Sequence, residues 1–321
     1  MRSVGEPSFA ISVCIPTFNP DLKYLKLLLE SLERQTRADF NVIVSDDASA
    51  NADLIKAVLS TCKLNWRADW SPVSIGMAAN WNRCAQLATG QFILVTGQDD
   101  LLMPEALEQL VSQAQASNSD VVFSVPHFVT ESGDELQNPS SAVTADSIFP
   151  NGDVPMNNRA TIVLGLLYGN VFGDPCSTLI RLDSFRALGG FSTEYEHAVD
   201  LELWLRMAAG GVAITRISKV VASHRAHQKN ATSVHVRSGA SQRDRDRLAV
   251  EYEASEFADA TWNRIVARLH LHRLHDLMRY RTASEPISVR MRGGGRTRLR
   301  AIAGEITETF GWTEPIGRSL L

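Results

Sequence analysis

Residues 91–104 read QFILVTGQDDLLMP, and the reading of this stretch decides the fold. Phe92 to Val95 form a short apolar run closed by Gly90 and Gly97, as a buried strand requires. Asp99 and Asp100 stand where that strand ends. Pro104 then suits a helix first turn, and Ala106, Leu107, Leu110, Val111 and Ala114 continue at helical spacing. A strand therefore delivers two carboxylates to the carboxyl edge of a sheet, where open α/β sheets bind ligands. Hard oxygen ligands there suit Mg²⁺ or Mn²⁺, completed by phosphate and water. Acids ahead of a helix are also favoured simply as caps, and both readings fit this stretch taken alone.

Toward the N-terminus, Phe9 to Ile15 reads as a strand running into a turn at Pro16 to Pro20. Leu22, Leu25, Leu28, Leu29 and Leu32 mark an amphipathic helix. Asn41 to Ser45 is a second strand, ending in Asp46 and Asp47. Leu54, Ile55, Val58 and Leu59 mark the next helix, Trp66, Trp70 and Val73 a short strand, and Met77 to Ala88 a helix ended by Gly90. Beyond the central stretch, Asp120 to Val125 is again apolar. This alternation predicts an α/β fold with a mainly parallel, Rossmann-like sheet flanked by helices.

Glu131 to Asn158 is polar and carries Pro139, Pro150 and Pro155, which predicts a long irregular connection suited to a lid or substrate wall. Helices are expected at Ile162 to Tyr168, Asp183 to Leu188 and Val199 to Ala209, and strands at Cys176 to Arg181 and Val212 to Ile217. From Val234 the character changes. Arg237 to Arg247 is strongly charged, and Trp262 to Met278 has the spacing of an amphipathic helix. Arg290 to Arg300 is basic, with no acid between Pro286 and Ala303. The expected organisation is a sheet domain over residues 1–233 and a basic helical extension over 234–321. That extension suits a solvated helix, a homo-oligomer contact, or a patch meeting anionic lipid.

Hydrophobic residues make up 44% and charged residues 21% of the 321, so a packed core is expected rather than disorder. The net charge of −4 gives no sign of a nucleic-acid binder. Cys14, Cys62, Cys84 and Cys176 are scattered, which argues against a zinc cluster or disulfide framework and fits a reducing, cytoplasmic setting. The N-terminus lacks the order of a signal peptide. No apolar run reaches the about 18 residues of a membrane span. A soluble chain with at most peripheral contact at the inner face of a membrane is expected.

Five short motifs occur in order: Pro16-Thr17-Phe18-Asn19, Ser45-Asp46-Asp47-Ala48-Ser49, Gly76 with Asn80 to Arg83, Gln98-Asp99-Asp100, and Val199 to Arg206. Together they resemble a family 2 glycosyltransferase from about Phe9 to Ser233. The resemblance implies a GT-A fold, a nucleotide-sugar donor, most simply UDP-linked, a divalent cation (Mg²⁺ or Mn²⁺), and inversion at the anomeric carbon. It divides the domain into a donor-binding half, about 9–125, and an acceptor-binding half, about 126–233.

The resemblance implies roles position by position. Pro16, Thr17, Phe18 and Asn19 would pack on the base and ribose. Asp46 and Asp47 would accept hydrogen bonds from the nucleoside, a carboxylate suiting an imide N–H; as plain loop acids they would instead cap the next helix. Asn80 and Arg83 would line the donor pocket, Arg83 meeting a phosphate, or else face solvent. The family's Asp-X-Asp places its first acid at Gly97 here, so Gln98 or water would take over a ribose contact, and Asp99 would bind the metal. Asp100 would act behind it or as a helix cap. Asp200 would be the general base for the acceptor hydroxyl, with Val199 standing where the family carries a further acid; the same Asp200 would also complement the helix dipole. His224 to His227 would belong to a loop closing over the diphosphate, with His227 touching phosphate or cation. The acceptor would be a saccharide or lipid-linked saccharide. Losing acids at Gly97 and Val199 leaves open a non-catalytic member that binds a nucleotide sugar or a partner.

Overall fold

The structure is a computed structural model that describes residues 9–136, 152–156, 158–170, 172–227 and 230–253. The basic run at 290–300, the helix expected from Trp262, and residues 137–151 of the irregular connection lie outside the described residues.

The first half alternates as its periodicity requires. Strands β1 (Ile11–Thr17), β2 (Phe40–Asp46), β3 (Trp66–Trp70) and β4 (Phe92–Val95) are separated by helices α1 (Leu22–Glu33), α2 (Ala52–Leu59) and α3 (Met77–Gln86). These strands lie in the order β3-β2-β1-β4, all parallel. The sheet continues through β9 (Thr178–Arg181), β6 (Val121–Phe123), β10 (Ile214–Arg216) and β8 (Val154–Pro155). Here β9 and β8 run antiparallel to their neighbours, while β6 and β10 are parallel to each other. The sheet is thus mainly parallel, as expected, with two reversed strands that periodicity alone does not distinguish.

Both faces are covered, so β1, β2 and β4 are buried along their whole length and mostly apolar. Along β1, Ile11, Val13 and Ile15 enter the core beneath α1, α2 and α4 (Ala106–Ala116), while Cys14 enters the core on the other face. That second core is closed by α3, α5 (Asn158–Tyr168), α6 (Leu182–Ala187) and α7 (Val199–Ala209). Leu248 of α9 (Ala240–Glu253), which follows α8 (Ala231–Ser238), joins it, so residues from the start of the charged segment pack on the same body.

A small sheet, β5-β11-β7, sits at the mouth of the large one. Its strands β5 (Leu101–Leu102), β7 (His127–Val129) and β11 (Ala222–Arg225) were not expected. Two corrections follow. His224 and Arg225 stand on a strand rather than in a loop, held by pairing with β5 and β7. Asp99 and Asp100 precede β5, not a helix: α4 starts at Ala106 with Glu105 as its cap residue, so Asp100 is no cap.

Candidate active site

The donor-side residues are bound together at the carboxyl ends of β1 and β2. Asp46 is buried and spends its carboxylate internally: Oδ2 accepts from Thr17 Oγ1 at 2.8 Å and Ser49 Oγ at 2.6 Å, Oδ1 from Ser49 N at 2.9 Å. Asn19, at φ 45°, donates its N–H to Ser49 Oγ at 2.7 Å and accepts from Ala50 N at 2.8 Å. Asp47 reaches away from the following helix. It accepts from Ser74 Oγ, Ile75 N and Gly76 N at 2.7, 2.6 and 3.0 Å, fixing the loop that opens α3.

Asn80 is buried and joins Ser45 by two hydrogen bonds, 2.7 and 2.9 Å. Arg83 donates to Asp69 at 2.7 Å and to the Asp46 carbonyl at 3.2 Å. Asp46, Asp47, Asn80 and Arg83 therefore brace the carboxyl end of β2 against the start of α3. The exposed groups above them are apolar: Phe18 at 52%, Val73 at 63% and Ile75 at 42% exposure. Gln98 holds Phe18 in place, accepting from its N–H at 2.9 Å and donating to its carbonyl at 3.2 Å. Pro16, next to last in β1, is buried and in register with Ser45.

The space for the absent family acid is taken. A Cβ at Gly97 would stand 2.6 Å from Asp100 Oδ2, and that same oxygen accepts the Gly97 N–H at 3.2 Å. Asp100 also takes the Arg225 N–H at 3.2 Å. Asp99 Oδ1 would also stand 3.0 Å from that Cβ, while its Oδ2 lies 2.6 Å from His227 Nε2. Arg225 locks the pair's surroundings: it donates to the Asp99, Thr130 and Glu131 carbonyls and stacks over Tyr24 at 4.6 Å. Tyr24 in turn lies 5.9 Å from the His227 ring.

Asp200 opens α7. Its Oδ1 accepts the Leu201 N–H at 2.8 Å and its Oδ2 accepts from Asn170 Nδ2 at 2.6 Å. Between Asp200 and the Asp99 side stand two residues that sequence reasoning passed over or left aside. His224 Nδ1 lies 3.4 Å from Asp100 Oδ1 and 3.3 Å from Asp174 Oδ2. Asp174 precedes a short 3-10 turn at Pro175–Ser177, and nothing local in the sequence marks it as functional. Glu202 bonds Arg206 and faces away from the cleft.

The electrostatics follow from this crowding. Burial, and then Asp174, push Asp200 up to about 7. Burial likewise raises Asp100 to about 6, with Asp99 and Asp174 adding to the rise and His224 opposing it. Burial pulls His224 down, but Asp100, Asp174, Asp99 and Asp200 together outweigh it and raise its pKa. His224 thus feels all four carboxylates, with Asp100 and Asp174 within direct reach of its Nδ1. Asp47 shares the same sheet edge through its N–H bond to Thr17. Ligand atoms of Asp100, Cys176 and His224 lie within 4.8 Å of one another, a set able to hold a metal; burial raises the Cys176 thiol well above its ordinary value.

The fold, a large mixed sheet with helices on both faces, is of the GT-A glycosyltransferase type. The sequence profile of Glycosyl transferase family 2 matches residues 12–189, and the chain belongs to that family. It is 26% identical over 208 residues to an uncharacterised protein of Mycobacterium tuberculosis, covering 64% of each chain. It is also 28% identical over 130 residues to an uncharacterised glycosyltransferase of Methanocaldococcus jannaschii, covering 40% of this chain and 45% of that one. The chain thus spans less than two thirds of either relative. Among solved structures, S. aureus TarS 1-349 in complex with UDP-GlcNAc superposes with a TM-score of 0.59 at 20% identity, covering 94% of this chain and 81% of that chain. No helix among the described residues is long and apolar enough to cross a membrane.

Proposed function

We propose that the chain is a metal-dependent, inverting glycosyltransferase that moves a sugar from a UDP-linked donor to a hydroxyl of a saccharide or lipid-linked saccharide. One observation supports this reading best: His224 Nδ1 lies 3.4 Å from Asp100, the chain neighbour of Asp99, and 3.3 Å from Asp174, and the charge of Asp200 adds to the rise in its pKa. Phe18, Val73 and Ile75 offer the apolar surface for a base above walls set by Asp46, Asp47, Asn80 and Arg83. The relative TarS carries UDP-GlcNAc on this fold.

The donor set fits Mg²⁺ or Mn²⁺. Asp99 Oδ2 and His227 Nε2, now in contact with each other at 2.6 Å, would part to offer one carboxylate oxygen and one imidazole nitrogen, leaving further positions to phosphate and water. A cation bound there supplies charge neutralisation for the departing diphosphate. Asp200 accepts the proton of the acceptor hydroxyl. The acceptor oxygen bonds to the anomeric carbon from the face opposite the diphosphate, whose bond to that carbon breaks with its electron pair. Residues 1–233 supply the donor and acceptor halves, and 234–321 a basic extension suited to peripheral membrane or homo-oligomer contact. The four cysteines, all free, favour a cytoplasmic setting.

A non-catalytic reading rests on Gly97, whose side-chain space Asp100 fills, and on Val199, which is buried. UDP release from a panel of UDP-sugars, with Mn²⁺ or with chelator, separates the two. Asp99→Asn should lose Mn²⁺-dependent donor binding and turnover, whereas Asp200→Asn should keep binding and lose turnover. Wild-type turnover in both variants, or none in the wild type, would overturn the proposal.

A further inference from the structure

Asp244 lies in α9, beyond the span matched by the family profile. It is buried, at 7% exposure. One of its oxygens, Oδ2, accepts three successive backbone N–H groups: Glu196 at 2.9 Å, His197 at 2.6 Å and Ala198 at 3.0 Å. Consecutive N–H groups converging on one point form an anion-binding concavity. Here the chain's own carboxylate fills it. Ala198 is the cap residue of α7, and its carbonyl takes the first helical hydrogen bond, from Glu202 N at 2.8 Å. Asp200 follows two residues later.

The rest of α9 grips the same segment. Arg243 pairs with Glu196, and Arg247 donates to the Glu194 carbonyl at 3.1 Å and stacks over the Tyr195 ring at 4.8 Å. Tyr195 Oη donates to Glu251. Positions 243, 244, 247 and 251 fall on one face of a helix. On the core side, Ala240 and Leu248 are fully buried, so the grip is tied to the second core. The segment from Glu194 to Ala198 is therefore clamped from a helix that carries none of the site residues.

We infer that Asp244 is a positioning residue for the transfer reaction: it sets the backbone from which Asp200 meets the acceptor hydroxyl. This rests on the assignment of Asp200 as the base. Among the described residues the hydrogen bonds of Asp244 go to residues 196–198 and none to β1, β2 or α3, so donor binding should not depend on it. A base displaced by an ångström loses turnover without losing donor affinity.

The test uses the full chain, with UDP release from whichever UDP-sugar turns over fastest. Asp244→Ala should lower kcat at least about tenfold while the KM for the UDP-sugar stays unchanged. Asp244→Asn, isosteric but uncharged, should fall between it and the wild type, and it serves if the alanine variant does not fold. Hydrogen exchange should speed up at the amides of residues 196–198 and stay slow in β1 and β4. Full kcat in Asp244→Ala alongside an inactive Asp200→Asn would overturn this inference alone. A parallel fall in kcat, donor affinity and melting temperature would also overturn it, by showing a general structural role. An active Asp200→Asn would overturn the base assignment and the positioning role with it.

Discussion

Replacing Asp200 by asparagine should stabilise the protein, and by an amount that grows with pH. Asp200 is pushed from 3.8 to about 7, first by burial and then by the nearby Asp174. The folded state thus holds its proton more tightly than the unfolded state does. Between about pH 4 and pH 7 the unfolded chain has released that proton while the folded chain still holds it. Folding stability from this group therefore falls as pH rises through that window and levels off above the folded value. The shift of roughly 3 units, at about 1.4 kcal/mol per unit, sets an upper limit of about 4 kcal/mol above pH 7. Asp200 is half-buried, and solvent contact should trim this to roughly 2 kcal/mol. Asparagine keeps the shape and can still accept the Leu201 N–H; its amide N–H then meets Asn170, whose side-chain amide turns to present its oxygen, and it carries no charge to desolvate. Urea denaturation of wild type and Asp200→Asn at pH 5, 7 and 8.5 would measure the gap. The gap should be small at pH 5, larger at pH 7 and little changed at pH 8.5, with the variant the more stable. A gap independent of pH, or a variant less stable at pH 8.5, would refute the argument that burial and Asp174 burden the ionised form.

The same shift predicts that kcat rises with pH through about 7 as Asp200 becomes able to accept a proton; Asp174→Asn should move that limb to lower pH, and an unmoved limb would count against Asp174 as its cause. Asp46→Ala strips the acceptor from three hydrogen bonds in a buried turn, so denaturation should show a loss of roughly 3 kcal/mol, and a loss under 1 kcal/mol would mean that water replaces them.

The donor-side residues show how a residue can be found while its task is misread. Asp46, Asp47, Asn80 and Arg83 were expected to meet a donor, yet each spends its polar atoms on neighbours. A motif fixes the type and the place of a side chain. Whether its lone pairs remain free depends on Ser49, Ile75, Ser45 and Asp69, whose approach depends on chain packing. Asp174 was missed for a related reason: its partner His224 is remote in the chain, and no local pattern links them.

The sequence alone determined the alternating strands and helices, because period and apolar runs are local and each strand must be buried on both faces. It also determined that an acid ends β2 and that two acids follow β4, since strand ends follow from where those runs stop. Tertiary structure alone decided that β9 and β8 run backward, that Asp100 occupies the space beside Gly97, and that Asp244 fills the amide nest ahead of Asp200. Those outcomes come from groups far apart in the chain meeting with matched charge and shape. Such pairings leave no periodic trace, because the cost of an unpaired buried donor or acceptor is fixed only once the chain has closed around it.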